Sequence, residues 1–535
     1  MSIPSVELGA RVFFDACVAT AQPLSEPGRE RTRALRAFLP GEEEALARLW
    51  DRTDAAMRWL QARGTPLTEA HLKVCNGLWF LHEDPASWGA VELARLHRIA
   101  GSVGWLLREV AELIPGSHGT ERVDGLQEKL SVHCAGGGFE LVSPPGSPLA
   151  EVREALRRDT ACYLDLERAQ REATALLLGL PPGRLRSDIT IPTDDPSLLQ
   201  SYRSQAGLTE VATHAHQALF RFTPSGEARE ALDRMNRTRQ RCHALEATGI
   251  AGLCGELAPL LPGLWADLEA VGELDVLLGR ARWASQLNAS RPGFSSDGGL
   301  LAGDAVHPEI RRQVEGLGRQ YQSLSFELHP PVVSLTGANM GGKTAFLRTV
   351  ALLQSLFQRG YFVPARTFRS TLFNSMAWMG AVPDSPTLGL SSFGRECRDL
   401  IDALELPEPQ LLLVDEFARS TDAEEGLALT GALLDHLQQN RRGLFLFAGH
   451  QKNLGCEAAD EIQYLHTGGL DFDTYTAHLA TMEPTDALAA SMNYQVFAGK
   501  ARTSDALQIA RALGVPKPLV RSAQEIWEKA HGKNL

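Results

Sequence analysis

Three short apolar runs constrain this chain most: "VVSLTG" at 332–337, "QLLLVDE" at 410–416 and "GLFLFAGH" at 443–450. None alternates between apolar and polar residues, so each strand must be covered on both faces. Stretches of helical periodicity separate them, the first over 343–359. Continuous apolar strands alternating with helices mark a parallel sheet with helices on either side, an α/β domain. At 535 residues the chain is too long for one core, and roughly two to four domains are expected.

Upstream the pattern changes. "GEEEALARLWDRTDAAMRWLQARG" and "AVELARLHRIAGSVGWLLREVAELI" place apolar residues at three-to-four spacing and predict helices within residues 1–115. "GGGFELVSPPGSP" (136–148) is a break holding a short strand at most. A long helix is predicted over 149–179. "SDITIPTDDP" and "LTEVATHAHQALFRFTP" then alternate, with β-branched and aromatic residues, as hairpin strands do. Helical periodicity returns from 225 to about 287. The expected organisation is a helical core region at 1–186, a clamp-like β segment with lever helices at 187–299, an α/β domain at 300–500 and a helical segment at 501–535. The sequence contains no internal repeat.

The formal net charge of −12 excludes a chain coated in positive charge. It leaves room for a local basic groove on an acidic body. The eight cysteines, at 17, 75, 134, 162, 242, 254, 397 and 456, form no CxxC pair, so reduced thiols in a cytoplasmic setting are expected rather than a zinc site or disulfide framework. No apolar run approaches the ~18 residues that a membrane helix needs, so no membrane role is expected.

The first strand leads into Gly337-Ala338-Asn339-Met340-Gly341-Gly342-Lys343-Thr344, which fits G-x-x-x-x-G-K-[ST]. Glycines let backbone amides turn inward around an anion, and the helix that follows presents its positive end. Lys343 is placed to reach the β- and γ-phosphates of a nucleotide, and the Thr344 hydroxyl to ligate Mg²⁺. The second strand ends in Asp415-Glu416. Unpaired carboxylates at the tip of a buried strand are costly, so a working pair is expected, with Asp415 holding the metal and Glu416 orienting and deprotonating water. His450 closes the third strand, where an imidazole can meet the γ-phosphate or the lytic water; alone, such a residue would more often be structural. Phosphate loop, carboxylate pair and histidine strand follow in the order of ABC-type ATPases. In those, a signature loop from a second subunit completes each site. "GAVPDSPTLGLSSFGRE" (380–396) is the candidate, through Ser391 or Ser392, although from the residues alone a simple helix cap with Glu396 is the preferred reading.

Beyond these motifs the chain resembles the MutS family of DNA mismatch-repair ATPases. The likeness rests on "TGANMGGKTAFLRTVALL", "GYFVPA" (360–365), "SSFGRE", "DEFARSTDAEEGLAL" with Arg419, Thr421 and Gly426 in register, and "VHPEI" (306–310). More weakly it rests on "ELDVLLGRARWA" (273–284) and "SDALQIARALGVPKPLVRSAQEIWE" (504–528). The resemblance implies a P-loop ATPase domain binding ATP and Mg²⁺. It assigns the nucleotide to Gly337, Asn339, Met340, Gly341, Gly342, Lys343, Thr344 and Ala345, the metal to Thr344 and Asp415, catalysis to Lys343, Glu416 and His450, and the capping hydroxyl across a homodimer to Ser392. It also implies lever helices that move a clamp, and dimerisation through the last helices. Tyr321 is a candidate to stack on adenine. The sequence shows no Phe-x-Glu mismatch reader, no length for a connector domain and no Smr nuclease segment, so a short member of the family is expected. It departs from the family pattern at Ala418 and Ser420, where glycines are usual, and at Gly449, where threonine is usual. The family's asparagine ahead of the phosphate loop is also not evident in "YQSLSFEL".

Two functions follow from the resemblance. One is a dimeric clamp ATPase on double-stranded or branched DNA in repair or recombination. The other is an ATPase recruited to a protein partner, such as a reactivase component for a cobalamin-dependent aminomutase. Arg234, Arg237 and Arg241 fall on one helical face and are candidate contacts to DNA phosphates; a solvated face paired with acidic neighbours is the plainer account. His214 and His216 are expected on one face of a strand.

Overall fold

The computed structural model describes residues 12–531 apart from 64–65, 111–112, 114–120, 135, 137, 182, 338–340, 381–391, 451–460 and 501–505. Its residues fall into two compact units, one of Met1–Asn76, Val110–Gly116 and Glu269–Leu535, the other of Gly77–Glu109 and Ser117–Leu268.

The first unit includes α1 (Glu26–Arg33) and α2 (Glu43–Arg63). Ser25 caps α1 by accepting from the Gly28 amide. Helix α2 buries Leu46, Trp50, Ala56 and Leu60, the three-to-four spacing read from its sequence.

The second unit contains α3 (Ala90–Glu109), α4 (Glu121–Ser131), the long α5 (Pro148–Leu177) and α6 (Gly226–Leu257). Helices α5 and α6 pack through Leu149, Val152 and Cys242. Between them lies a three-stranded antiparallel sheet in the order β1 (Asp188–Pro192), β3 (Gln217–Phe222), β2 (Leu208–Thr213). Ile191, Ala218, Phe220 and Phe222 turn inward onto Tyr202, while alternate residues face out. His214 and His216 differ from expectation. They occupy the tight turn between β2 and β3, closed by the His214 amide donating to Gln217 O at 2.8 Å, and so share no strand face. The 136–148 break contains no strand among its described residues.

Helix α7 (Leu261–Gln286) belongs to the second unit up to Leu268 and to the first from Glu269. The helical stretch 226–286 holds an 18-residue window of mean hydropathy 1.3, long and apolar enough to cross a membrane by length and composition alone. A 3-10 turn at Ala258–Leu260 interrupts the stretch, and the Glu256 carboxylate accepts from Lys129 Nζ at 2.7 Å.

The rest of the first unit is mixed α/β. A four-stranded sheet runs β4 (Gly293–Phe294), β8 (Thr367–Ser370), β5 (Leu300–Ala305), β6 (Leu324–Leu328). Helix α8 (Pro308–Gly316) lies between β5 and β6 in sequence. The larger sheet has six strands in the order β13 (Met492–Ala498), β12 (Gln463–Leu470), β7 (Val332–Thr336), β11 (Gly443–Gly449), β10 (Gln410–Asp415), β9 (Ser375–Gly380). Every pairing is parallel except β12 with β13.

The three apolar runs are its central strands. Val333, Leu335, Leu411, Leu413, Leu444 and Leu446 pack on one face with α9 (Lys343–Gln358). Val332, Leu412, Val414, Phe445 and Phe447 pack on the other with Leu433, Leu434 and Leu437 of α11 (Ala423–Asn440), and α10 (Ser392–Leu404) adds Ala403 there. Each leucine of the three strands is fully buried, so truncation to alanine at one of them costs about 2–5 kcal/mol. The chain's last described helix is α12 (Lys517–His531).

Candidate functional site

Parallel pairing sends the ends of β7, β10 and β11 to one edge of the sheet. Thr336 is opposite Gly449, and Ala448 opposite Asp415. The residues that follow each strand therefore meet: Gly337 and the glycine loop from β7, Glu416 from β10, His450 from β11. Loops at the carboxyl ends of parallel strands are where an α/β sheet leaves space for a ligand.

Lys343 opens α9 and is 5% exposed. Its Nζ donates to Gly337 O at 2.9 Å and lies 3.3 Å from His450 Nε2. The next residue, Thr344, donates its hydroxyl to Asp415 Oδ2 at 2.7 Å. His450 Nε2 is 2.8 Å from Glu416 Oε1. One nitrogen cannot donate to a carboxylate and accept from an ammonium through the same position. The shorter contact, to an obligate acceptor, assigns the proton to Nε2, and the Lys343 contact is then electrostatic. Glu416 Oε2 accepts from Arg419 Nη1 at 3.0 Å, so both of its oxygens are engaged.

Burial pushes the Lys343 ammonium below its ordinary range, against the pull of Glu416 and Asp415. Burial also raises the Asp415 carboxyl; the Thr344 hydroxyl offsets part of that rise and the Glu416 charge adds to it. A metal cation would relieve the strain on Asp415, and the phosphate anion it accompanies that on Lys343. Thr344 and Asp415 present hard oxygen donors, and among the described residues no group of three or more His, Cys, Asp or Glu could hold a metal alone. That donor set fits Mg²⁺, which takes one or two protein oxygens and completes its shell with phosphate and water.

The backbone is held in special conformations at the site. Gly342 has φ 84°, and a Cβ there would lie 2.8 Å from Tyr494 Cδ1. Glu416 (φ 61°) and Ala418 (φ 56°) also adopt left-handed conformations, which cost non-glycine residues of order 1–3 kcal/mol each. Ser420, where glycine was expected, donates to Glu396 Oε1 of α10 at 2.7 Å. Gly449 has open space where a Cβ would stand, so a threonine there would fit.

Beside the start of α9 is a cavity of about 230 Å³ lined by Tyr321, Tyr494, Gly342, Ala345, Thr349 and Val314. The Tyr321 hydroxyl accepts from the His307 amide at 2.9 Å. Its ring is therefore anchored beside the glycine loop. Tyr494 was missed from sequence. It lies on β13, whose antiparallel pairing with β12 brings it back to the loop, and no local motif signals that return.

Gly341 is buried at the loop. Asn339, Met340 and Ser391 lie outside the described residues, and Ser392 is the first residue of α10. Arg234, Arg237 and Arg241 stand far along the chain on α6. All three are exposed on one face, and no ion pair joins any of them to an acid among the described residues.

A family model described as MutS domain V matches residues 333–531, the segment that carries β7, the glycine loop, Asp415, Glu416 and His450. Over that segment the chain is similar to the MutS family. Similar proteins include the "DNA mismatch repair protein MutS" of Syntrophomonas wolfei, 27% identical over 61% of this chain and 37% of that protein. The "DNA mismatch repair protein MutS 2" of Halobacterium salinarum is 28% identical over 56% of this chain and 33% of that protein. The "DNA mismatch repair protein MutS" of Leptospira interrogans is 29% identical over 54% and 33%. The match thus spans about a third of the length of these relatives.

Proposed function

We propose that this chain is a MutS-family ATPase of the P-loop, ABC type, that it works as a homodimer, and that it acts on double-stranded or branched DNA. One observation carries the reading: three separate strand ends bring Lys343, Thr344, Asp415, Glu416 and His450 into a continuous chain of contacts beside a glycine loop. The backbone amides and Lys343 would grip the β- and γ-phosphates. Thr344 and Asp415 would hold Mg²⁺, which supplies charge neutralisation to the phosphates when bound. Glu416 is the base for the attacking water, and His450 holds Glu416 in place and senses the γ-phosphate. Tyr321 and Tyr494 would flank the adenine. Ser392 of a second copy would cap the γ-phosphate, so that closure of the dimer depends on nucleotide.

The DNA assignment draws on the exposed, unpaired stripe of Arg234, Arg237 and Arg241, which suits contact with phosphates irrespective of sequence. The names of the relatives point the same way. The free cysteines among the described residues suit a cytoplasmic protein.

The test is the ATP turnover rate with and without homoduplex, mismatched and branched DNA, at two salt concentrations. Stimulation that falls steeply with salt is expected, together with loss of nucleotide affinity in Lys343→Ala. Turnover indifferent to every DNA would replace the DNA reading with that of a protein partner. Unchanged ATP binding by Lys343→Ala would remove the loop from the site.

A further inference from the structure

A second cavity, of about 260 Å³, lies within the first unit and is lined by Arg31, Arg36, Arg52, Arg280 and Glu273. These come from α1, the segment after it, α2 and α7. Glu273 and Arg280 are two turns apart on α7 and so share one face. The cavity also has an apolar wall, formed by Phe38, Leu49 and Leu277.

Its charges do not balance. Glu273 takes Arg52 at 2.6 Å through one oxygen and Arg31 at 3.3 Å through the other. Arg36 is paired with Glu42. Four guanidiniums thus meet two carboxylates, and Arg280 is paired with no carboxylate among the described residues. Arg280 is also the most enclosed of the four, at 4% exposed. One of its nitrogens donates to Arg359 O at 2.9 Å, and its central carbon lies 5.0 Å from the Tyr361 ring centroid, but its Nε has no hydrogen-bond partner among the described residues. Arg52 Nε is likewise buried and without a hydrogen-bond partner among the described residues. A buried guanidinium with unmatched donors is costly unless an anion completes it.

We propose that this cavity binds a small organic phosphate monoester, its dianionic head taken by Arg280, Arg52 and Arg31 and its apolar part laid against Phe38, Leu49 and Leu277. Guanidinium forks match phosphate oxygens in pairs. Three of them around one head call for a dianion rather than a single carboxylate. The site is separate from the glycine loop: Arg280 reaches the carbonyl of Arg359, which caps the far end of α9. The helix's 16 residues put about 24 Å between its two ends. The proposal therefore stands whether or not the loop binds ATP. A ligand here would tie α1, α2 and α7 to the end of the helix that begins at Lys343.

Isothermal titration of the full chain with phenyl phosphate tests this, with Mg-ADP present throughout so that the glycine loop is occupied. One equivalent should bind. Arg52→Met, at a half-exposed position, should weaken binding at least ~10-fold, a loss of ~1.4 kcal/mol. Glu273→Gln should tighten it several-fold, because the internal carboxylate no longer competes for Arg31 and Arg52. Benzoate should bind at least ~10-fold more weakly than phenyl phosphate. Absence of heat at millimolar phenyl phosphate, equal affinity in Arg52→Met, or equal affinity for benzoate would each overturn the proposal. Circular dichroism melts establish that the variants are folded. Arg52 is used rather than Arg280 because loss of the enclosed guanidinium could unfold the chain.

Discussion

His307 lets a pH dependence be worked through from the structure. It is fully buried and caps α8, its Nδ1 accepting from the Ile310 amide at 3.3 Å. Its own amide donates to the Tyr321 hydroxyl, so it anchors one wall of the cavity beside the glycine loop. Burial, with Arg348 adding to it, pushes the imidazole down to about 4 from an ordinary 6.5; a contact with Val12 backbone and the Glu309 charge pull the other way. The folded chain therefore keeps His307 neutral where the unfolded chain protonates it. A depressed folded pKa contributes stability that is present above 6.5 and is lost as pH falls toward 4. Between about pH 7.5 and pH 5 the linkage relation puts that loss at ~2 kcal/mol, and its full extent at ~3 kcal/mol.

Other histidines and carboxylates titrate over the same range, so the measurement is a difference. Urea unfolding of wild type and His307→Asn is compared at the two pH values; asparagine is chosen because it also caps a helix N-terminus. The variant loses packing at both pH values, but its stability should fall less on acidification, by ~2 kcal/mol. Equal slopes for the two proteins would refute the argument and place the acid sensitivity elsewhere.

Three further outcomes are expected. Glu416→Gln keeps the acceptor that His450 meets but removes the base, so ATP should still bind while turnover falls ~10²–10⁴-fold; turnover within a few-fold of wild type would mean another base. Arg419→Ala frees one Glu416 oxygen from an exposed ion pair worth less than ~1 kcal/mol, so basal turnover should rise no more than about five-fold, and a large fall would give Arg419 a direct role. Asp415→Asn removes a carboxyl that burial holds above its usual range. A raised folded pKa is a contribution lost as pH rises, so the variant without nucleotide should melt higher than wild type near pH 7, by about 2–4 °C per kcal/mol. It should lose that margin below pH 4 and hydrolyse no ATP, and a lower melting temperature at pH 7 would contradict the sign.

The central strands were legible because their coding is local. "QLLLVDE" cannot form a half-exposed strand, and its burial on both faces follows from having no polar alternate. The site residues were legible for the same reason, since each stands at the end of a strand that announces itself. The four-stranded sheet was not read. "LLAGDA" and "LSFEL" are short, and β4 has two residues; the pairings of β8 with β4 and β5 join segments more than sixty residues apart, as from Gly293 to Arg369. Tyr494 shares that difficulty, and so does the arginine cavity, assembled from Arg31, Arg52 and Arg280 across about 250 positions of chain. Charge imbalance in space leaves no trace in local spacing.

The site itself is a conflict within the fold, and this bears on how it would work. An ammonium and a carboxyl are both buried, two non-glycine residues sit at positive φ, and Glu416 is shared between His450 and Arg419. None of these features stabilises the empty chain, and several kcal/mol oppose them. What holds them is the sheet, whose central leucines are fully buried on both faces. A triphosphate with its metal would supply the charge that Lys343 and Asp415 each lack and leave Glu416 free to turn from Arg419 toward water. Binding energy would thus be released where the empty site is most strained. Ser420, tied to Glu396 at the start of α10, would carry that rearrangement toward Ser392, the residue proposed to meet the second copy.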